Sequence, residues 1–132
     1  MTQHTHAIPL TIDYVEIPVT DMQAAREFYG AAFGWSFTTY GAEYSGIRTA
    51  AERESDSDEA GGLILTETVT RGGPLVLMYS DNLDSTLDKV TAAGGTVING
   101  PYDFPGGRRF HFLDPSRNEL GVWATAEQSA QA

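Results

Sequence analysis

The chain has no cysteine. A thiolate nucleophile, a cysteine-ligated zinc and a disulfide framework are all excluded, so the fold rests on packing alone. At 132 residues it is one domain's worth of sequence, long enough to bury a core without such staples. Basic residues are also scarce: eight Lys and Arg stand against eighteen Asp and Glu, a formal net charge of −10. Phosphate backbones are gripped by lysine and arginine, so the composition argues against nucleic acid and against an anionic membrane surface. Such acidity either draws in small cations or simply keeps the protein soluble. No apolar run approaches the roughly 20 residues of a membrane span. The opening MTQHTHAIPL lacks a signal-peptide core, and the expected location is cytoplasmic. The Gly-x-Gly-x-x-Gly dinucleotide fingerprint, the phosphate loop and the Gly-x-Ser-x-Gly nucleophile elbow are missing as well.

What is present is a pattern that occurs twice. From Leu10 to Val19 residues alternate, with Val15, Ile17 and Val19 on one face and Ile12, Tyr14, Glu16 and Pro18 on the other, the period of a strand. Thr20 or Asp21 offers an N-cap oxygen to a following helix, whose apolar stripe is Met22, Ala25, Phe28, Tyr29, Ala32 and Phe33 and whose stop is Gly34. Strands are expected at 35–40, 44–50 and 62–69, with the polar run ERESDSDEAGG, Glu52 to Gly62, as an exposed loop. That run lacks the ligand spacing of an EF-hand. The second half repeats the order: a strand at 75–80, a helix capped by Asp81 or Asn82 with the stripe Leu83, Leu87, Val90 and Gly94, then strands at 96–99, 108–113 and 119–124. GPYDFPGG reads as turn, either a lid over a cavity or an ordinary surface loop.

Asp21 and Asn82 lie 61 residues apart, and the same offset pairs Met22 with Leu83 and Tyr14 with Leu75. The expected architecture is therefore α+β: two βαβββ modules, at 10–70 and 74–125, in a single domain at 10–125. Flexible tails are expected at 1–9, which holds His4 and His6, and at 126–132. The two sheets are expected to curl toward each other as half-barrels around a cavity.

These residues resemble a known family. YVEIPVTDMQAAREFYGAAFGW is similar to the opening module of the vicinal oxygen chelate superfamily, which covers glyoxalase I, bleomycin-resistance proteins and extradiol dioxygenases. DNLDSTLDKVTAAGGTV, GPYDFPGGRRF and FLDPSRNELGVW are similar to its closing module, and the likeness runs from about Ile8 to Trp123. The resemblance implies paired βαβββ modules, commonly in homodimers, and a metal held in some members by three positions. Here those positions carry Tyr14, Leu75 and Gly121. Leucine and glycine have no donor atom, and a neutral phenol is a poor substitute for imidazole. Glu119 stands two residues from the third position, roughly 6.5–7 Å along a strand. No metal is therefore expected, with a divalent ion on displaced ligands (Glu16, His111, Glu119) as the alternative.

Strand parity then names the lining of the cavity: Tyr14, Leu75, Leu77, Tyr79, Arg109, Gly121 and Trp123 as ligand-binding residues, with Glu16 and His111 as the candidate acid–base pair. In resembling enzymes the position of His111 often contacts substrate. A histidine beside a desolvated carboxylate is suited to proton transfer near neutral pH, whereas Glu16 paired to Arg109 or His111 would be structural only. Three functions follow. One is a metal-free protein that binds a small, planar or cationic molecule. The second is a metal-dependent lyase, isomerase or dioxygenase with displaced ligands. The third is a metal-free enzyme working through Glu16 and His111, with Arg109 steadying an anion.

Overall fold

The computed structural model describes residues 8–49 and 59–126. The expected tails and the acidic run fall largely outside this set. Ten elements follow in order: β1 (Val15–Val19), α1 (Met22–Phe33), β2 (Ser36–Thr39), β3 (Tyr44–Arg48), β4 (Gly61–Leu65), β5 (Leu77–Tyr79), α2 (Leu83–Ala92), β6 (Thr96–Phe104), β7 (Gly107–Leu113) and β8 (Glu119–Thr125). Two four-stranded sheets result, ordered β1-β4-β3-β2 and β5-β8-β7-β6. In each, the first strand lies parallel to the last and the rest are antiparallel. The twice-used βαβββ unit is thus the architecture of the chain. No helix among the described residues is long and apolar enough to cross a membrane.

Both helices start where their polar caps dictate. Asp21 accepts from the Ala24 amide and Asn82 from the Ser85 amide, each at 3.0 Å, satisfying a donor the first turn leaves orphaned. Gly34 ends α1 at φ +73°, the left-handed geometry that glycine adopts without a Cβ penalty.

Three expectations about elements change. β1 begins at Val15 rather than Leu10, because Leu10 and Ile12 are fully exposed and have no neighbouring strand to pair with. Leu75 precedes β5 instead of lying in it. GPYDFPGG is not a lid: Gly100 to Phe104 extend β6, and only Pro105 and Gly106 remain as the turn. Two register shifts, between Val97 and Asn99 and between Asn99 and Tyr102, absorb the irregular backbone that the glycine and proline signal.

The core is shared by both modules. Ile17, Val19, Ile47 and Leu63 of the first sheet, Phe110, Phe112, Leu120, Val122 and Ala124 of the second, and the apolar stripes of both helices form one buried cluster. Phe28 and Phe33 of α1 reach across to Phe112 of β7, with centroids 5.9 and 5.7 Å apart. Each such ring removed from water is worth about 1.5–3 kcal/mol. The helix-bearing faces therefore meet, and the opposite faces lie on the outside of this core. The cavity expected between the modules, within one chain or across a dimer, is therefore not walled by the two bare faces of a single chain: the apolar stripes of two helices must also be buried, and α1 against α2 and Phe112 buries them.

Polar contacts at the turn between β7 and β8 join the modules. Asp114, buried, accepts from the Tyr29 hydroxyl at 2.7 Å and from the Asn118 amide and side chain. Asn118 also donates to the Pro18 carbonyl at 2.7 Å, and the Ser116 hydroxyl accepts from the Thr20 amide at 2.9 Å. Arg117 adopts φ +73° in this turn, which is why a glycine is the easier residue there.

Candidate functional site

The bare face of the first sheet is built over two glycines. Gly46 and Gly62 are register partners on β3 and β4, and Glu16 pairs with Gly62 from β1. A side chain at either glycine would collide with what fills that space: the Glu59 carboxylate over Gly46, the Tyr44 and Tyr14 hydroxyls over Gly62. The Tyr14 and Tyr44 hydroxyls lie 2.6 Å apart, and Tyr44 is also hydrogen-bonded to Glu16. An ionised Glu16 only accepts, so the chain runs from Tyr14 through Tyr44 to Glu16. Burial, followed by these hydrogen bonds, pushes the Tyr44 phenol far up; burial leads the upward shift at Tyr14. Tyr40 donates to Glu59, itself buried, at 2.7 Å. Glu16 itself is exposed.

The bare face of the second sheet carries a longer hydrogen-bonded chain. Arg109 Nε donates to the Tyr102 oxygen at 2.6 Å, Tyr102 meets His111 Nε2 at 2.8 Å, and His111 Nδ1 meets Glu119 Oε2 at 2.8 Å. Arg71 Nε donates to the other Glu119 oxygen at 3.1 Å. The hydrogen bond from His111, reinforced by Arg71 against modest desolvation, holds the Glu119 carboxyl below its ordinary value. In the tautomer with the proton on Nδ1 toward Glu119, Nε2 accepts and Tyr102 donates to it. Aromatic rings surround this relay: Trp123 packs edge-on against Tyr79 at 5.0 Å and Phe104 at 6.1 Å, and the Arg109 guanidinium lies 5.1 and 5.4 Å from the centroids of Phe104 and Tyr102.

The depressed Glu119 makes a testable statement about stability. A carboxylate whose folded pKa is lowered contributes fully above its unfolded value, near 4.5 here, and that contribution fades as pH falls through the lower folded value. Glu119→Gln is therefore expected to lower the urea midpoint at pH 6 and to flatten its decline between the unfolded and folded values. Parallel acid limbs for the two proteins would contradict the assignment.

The sequence-predicted site residues thus separate into two groups. Tyr14 and Glu16 belong to the first sheet; Leu77, Tyr79, Arg109, His111, Gly121 and Trp123 belong to the second. The anticipated pairing of Glu16 with His111 or Arg109 does not form; each has partners in its own sheet. Leu77 fills the space above Gly121, where a Cβ would come within 2.6 Å of its methyl carbon. A cleft of about 340 Å³ does form, but between the edges of β1 and β5, lined by Val15, Phe33, Trp35, Val76, Leu77 and Tyr79. Glu16 and Glu119 both line a smaller hollow of about 240 Å³ beside β1 and the start of β8.

The three positions implied for a metal do not match such a site. Tyr14 is committed to Tyr44, Leu75 and Gly121 have no donor, and no group of three or more His, Asp or Glu side chains converges among the described residues. Sequence reasoning missed Tyr102 and Phe104, which sat in a segment read as turn. The signal was available: a two-residue Pro-Gly turn pairs Phe104 with Gly107 and so places Tyr102 opposite Arg109.

Residues 11–122 match the Glyoxalase/Bleomycin resistance protein/Dioxygenase superfamily. The anthracycline biosynthesis protein DauV of Streptomyces sp. (strain C5) is 32% identical over 109 residues, 82% of this chain but 39% of that protein. The chain thus spans about two fifths of the length of that relative. In fold it is similar to a glyoxalase-related enzyme from Fulvimarina pelagi (TM-score 0.72, 17% identity, 88% of each chain covered). It is likewise similar to TnmS3, an antibiotic binding protein from Streptomyces sp. CB03234 (TM-score 0.63, 20% identity, 91% of this chain and 99% of that one covered). The matched stretch takes in nearly every element described above, and the chain belongs to the Glyoxalase/Bleomycin resistance protein/Dioxygenase superfamily.

Proposed function

We propose that this chain binds a small, flat organic molecule against the bare faces of its sheets, without a metal at the family's usual three positions. The observation that carries this reading is the second sheet's face, where Tyr79, Phe104 and Trp123 present aromatic surface beside Arg109, the composition expected of a small-molecule site. The family adds support, since it includes an antibiotic binding protein of the same fold and an anthracycline biosynthesis protein of related sequence. A second copy of the chain supplies the opposite wall in this reading. Both bare faces point away from the chain's own core, and β1 and β5 each end a sheet with one edge unpaired.

The test has three parts: transition-metal content on untagged protein purified without chelators, mass in solution, and a screen of planar compounds read by tryptophan fluorescence. Less than about a tenth of an equivalent of metal, a dimer, and saturable binding without turnover are expected, the stoichiometric contrast following from the need of a catalytic metal for about three protein ligands. Near one equivalent per chain would overturn the metal-free reading and direct mutagenesis to Glu16, His111 and Glu119.

A second reading, a metal-free acid–base enzyme, is favoured by one observation: His111 is oriented by a carboxylate on one nitrogen and joined to a phenol on the other. Turnover in the screen that is lost in His111→Ala would select it.

A further inference from the structure

Both ring nitrogens of His111 are taken, by Glu119 and Tyr102, so the imidazole has no atom left for a ligand. Tyr102 is bonded on both sides as well, to His111 Nε2 and, as acceptor, to Arg109. The chain of hydrogen bonds therefore ends at Arg109. Its Nε is anchored at 2.6 Å, its Cζ lies over the rings of Phe104 and Tyr102, and its two terminal nitrogens carry no hydrogen bond among the described residues. A guanidinium clamped at one nitrogen and open at the other two has lost most of its rotamer freedom before any ligand arrives, and its open edge matches two acceptor oxygens. Trp123, register partner of Arg109 on β8, and the half-exposed Tyr79 beside it offer a flat apolar surface.

We propose that this face is a subsite for a planar aromatic group bearing an acidic oxygen, a carboxylate or a phenolate-type oxygen, received by the open edge of Arg109. The inference rests on the small-molecule reading above and specifies its ligand. It also reverses the expectation of a cationic ligand drawn from net charge. The protein's −10 acts through a field that salt screens within about 8–10 Å. A bidentate contact to a partly buried guanidinium acts at about 2.8 Å, well inside that length. The nearby carboxylates are already engaged: Glu119 by His111 and Arg71, and Asp103 by Arg108. In this arrangement His111 and Glu119 are positioning residues, acting on the ligand only through Tyr102 and Arg109.

Three probes of matched shape test it on the full chain by titration calorimetry: 2-naphthoate, 2-methoxynaphthalene, and the cationic trimethyl-(2-naphthyl)ammonium. The naphthoate is expected to bind tightest. Arg109→Gln should weaken it about tenfold or more, the scale of a lost charge-assisted pair. Arg109→Lys, which keeps the charge but not the fork, should recover part of that loss, and Arg108→Gln should leave the naphthoate unchanged. Weaker naphthoate binding in Glu119→Gln and Tyr102→Phe, with binding of the neutral probe intact, would support the positioning chain. Neutral or cationic probes that bind as well as the naphthoate, or full naphthoate affinity in a folded Arg109→Gln, would overturn the subsite and leave the broader reading standing. Failure of all three probes to bind would overturn the subsite; the wider planar-compound screen then decides the broader reading.

Discussion

Replacing Asp114 with alanine is expected to lower unfolding free energy by about 2–4 kcal/mol, the scale of losing hydrogen bonds to a carboxylate and leaving buried donors unpaired. Asp114 is buried at the turn between β7 and β8 and accepts from Tyr29, from the Asn118 backbone and from the Asn118 side chain. Truncation removes three bonds to a carboxylate at once. It also leaves the Tyr29 hydroxyl, fully buried with its phenol pushed well up by burial and by Asp114, with no acceptor. Tyr29→Phe is the milder partner, about 1–2 kcal/mol, because Asp114 keeps both Asn118 donors. Combining the two should cost clearly less than their sum, since the hydroxyl orphaned in the first variant is absent in the double variant. Urea midpoints for the three proteins measure this, and a loss under about 1 kcal/mol for the alanine variant would show that the turn is not the bolt between modules.

Most of the fold was legible in the sequence because its signals are local. Asp21 and Asn82 mark helix starts through their own side chains, and the apolar stripes behind them set which faces turn inward. Strand parity was equally local: Arg109 and His111 share one face, and their register partners Trp123 and Gly121 lie on that same face from the neighbouring strand. What could not be read is which sheet faces meet. Alternation names two faces per strand but is silent on whether a helix covers one sheet or bridges two, and α1 does the latter through Phe28 and Phe33. The anticipated pairing of Glu16 with His111 or Arg109 fails for this reason, since it needs the bare faces of the two sheets to meet within the chain. The error at β6 has a different cause. Two glycines and two prolines in seven residues, 100–106, signal turn to any propensity argument, yet two register shifts let the strand carry Gly100 and Pro101. Tyr102 was lost with that strand, and with it the link that gives His111 its second partner.

Gly61→Ala is expected to cost about 3 kcal/mol or more, and it separates the two binding faces experimentally. Gly61 sits on β4 opposite Val15 of the parallel strand β1, and a Cβ there would run into the Val15 carbonyl oxygen, with the rest of the Val15 backbone close behind. Backbone cannot rotate away as a side chain can, so β1 must part from β4 or the variant must unfold. Gly34→Ala provides the scale for comparison. Its φ of +73° strains any L residue, but no atom lies within 4 Å of the added methyl, so only about 1–2 kcal/mol is at stake. Chemical denaturation of both variants should therefore differ by more than the strain alone. If Gly61→Ala remains folded at low temperature, loss of β1 pairing removes Tyr14 and Glu16 from the first face while β5 to β8 keep their own ladder. Retained affinity of that variant for 2-naphthoate would place the ligand on the second sheet. Lost affinity in a variant with an intact second sheet, judged by amide exchange at Phe110 to Phe112, would instead require the first face as the other wall of the site.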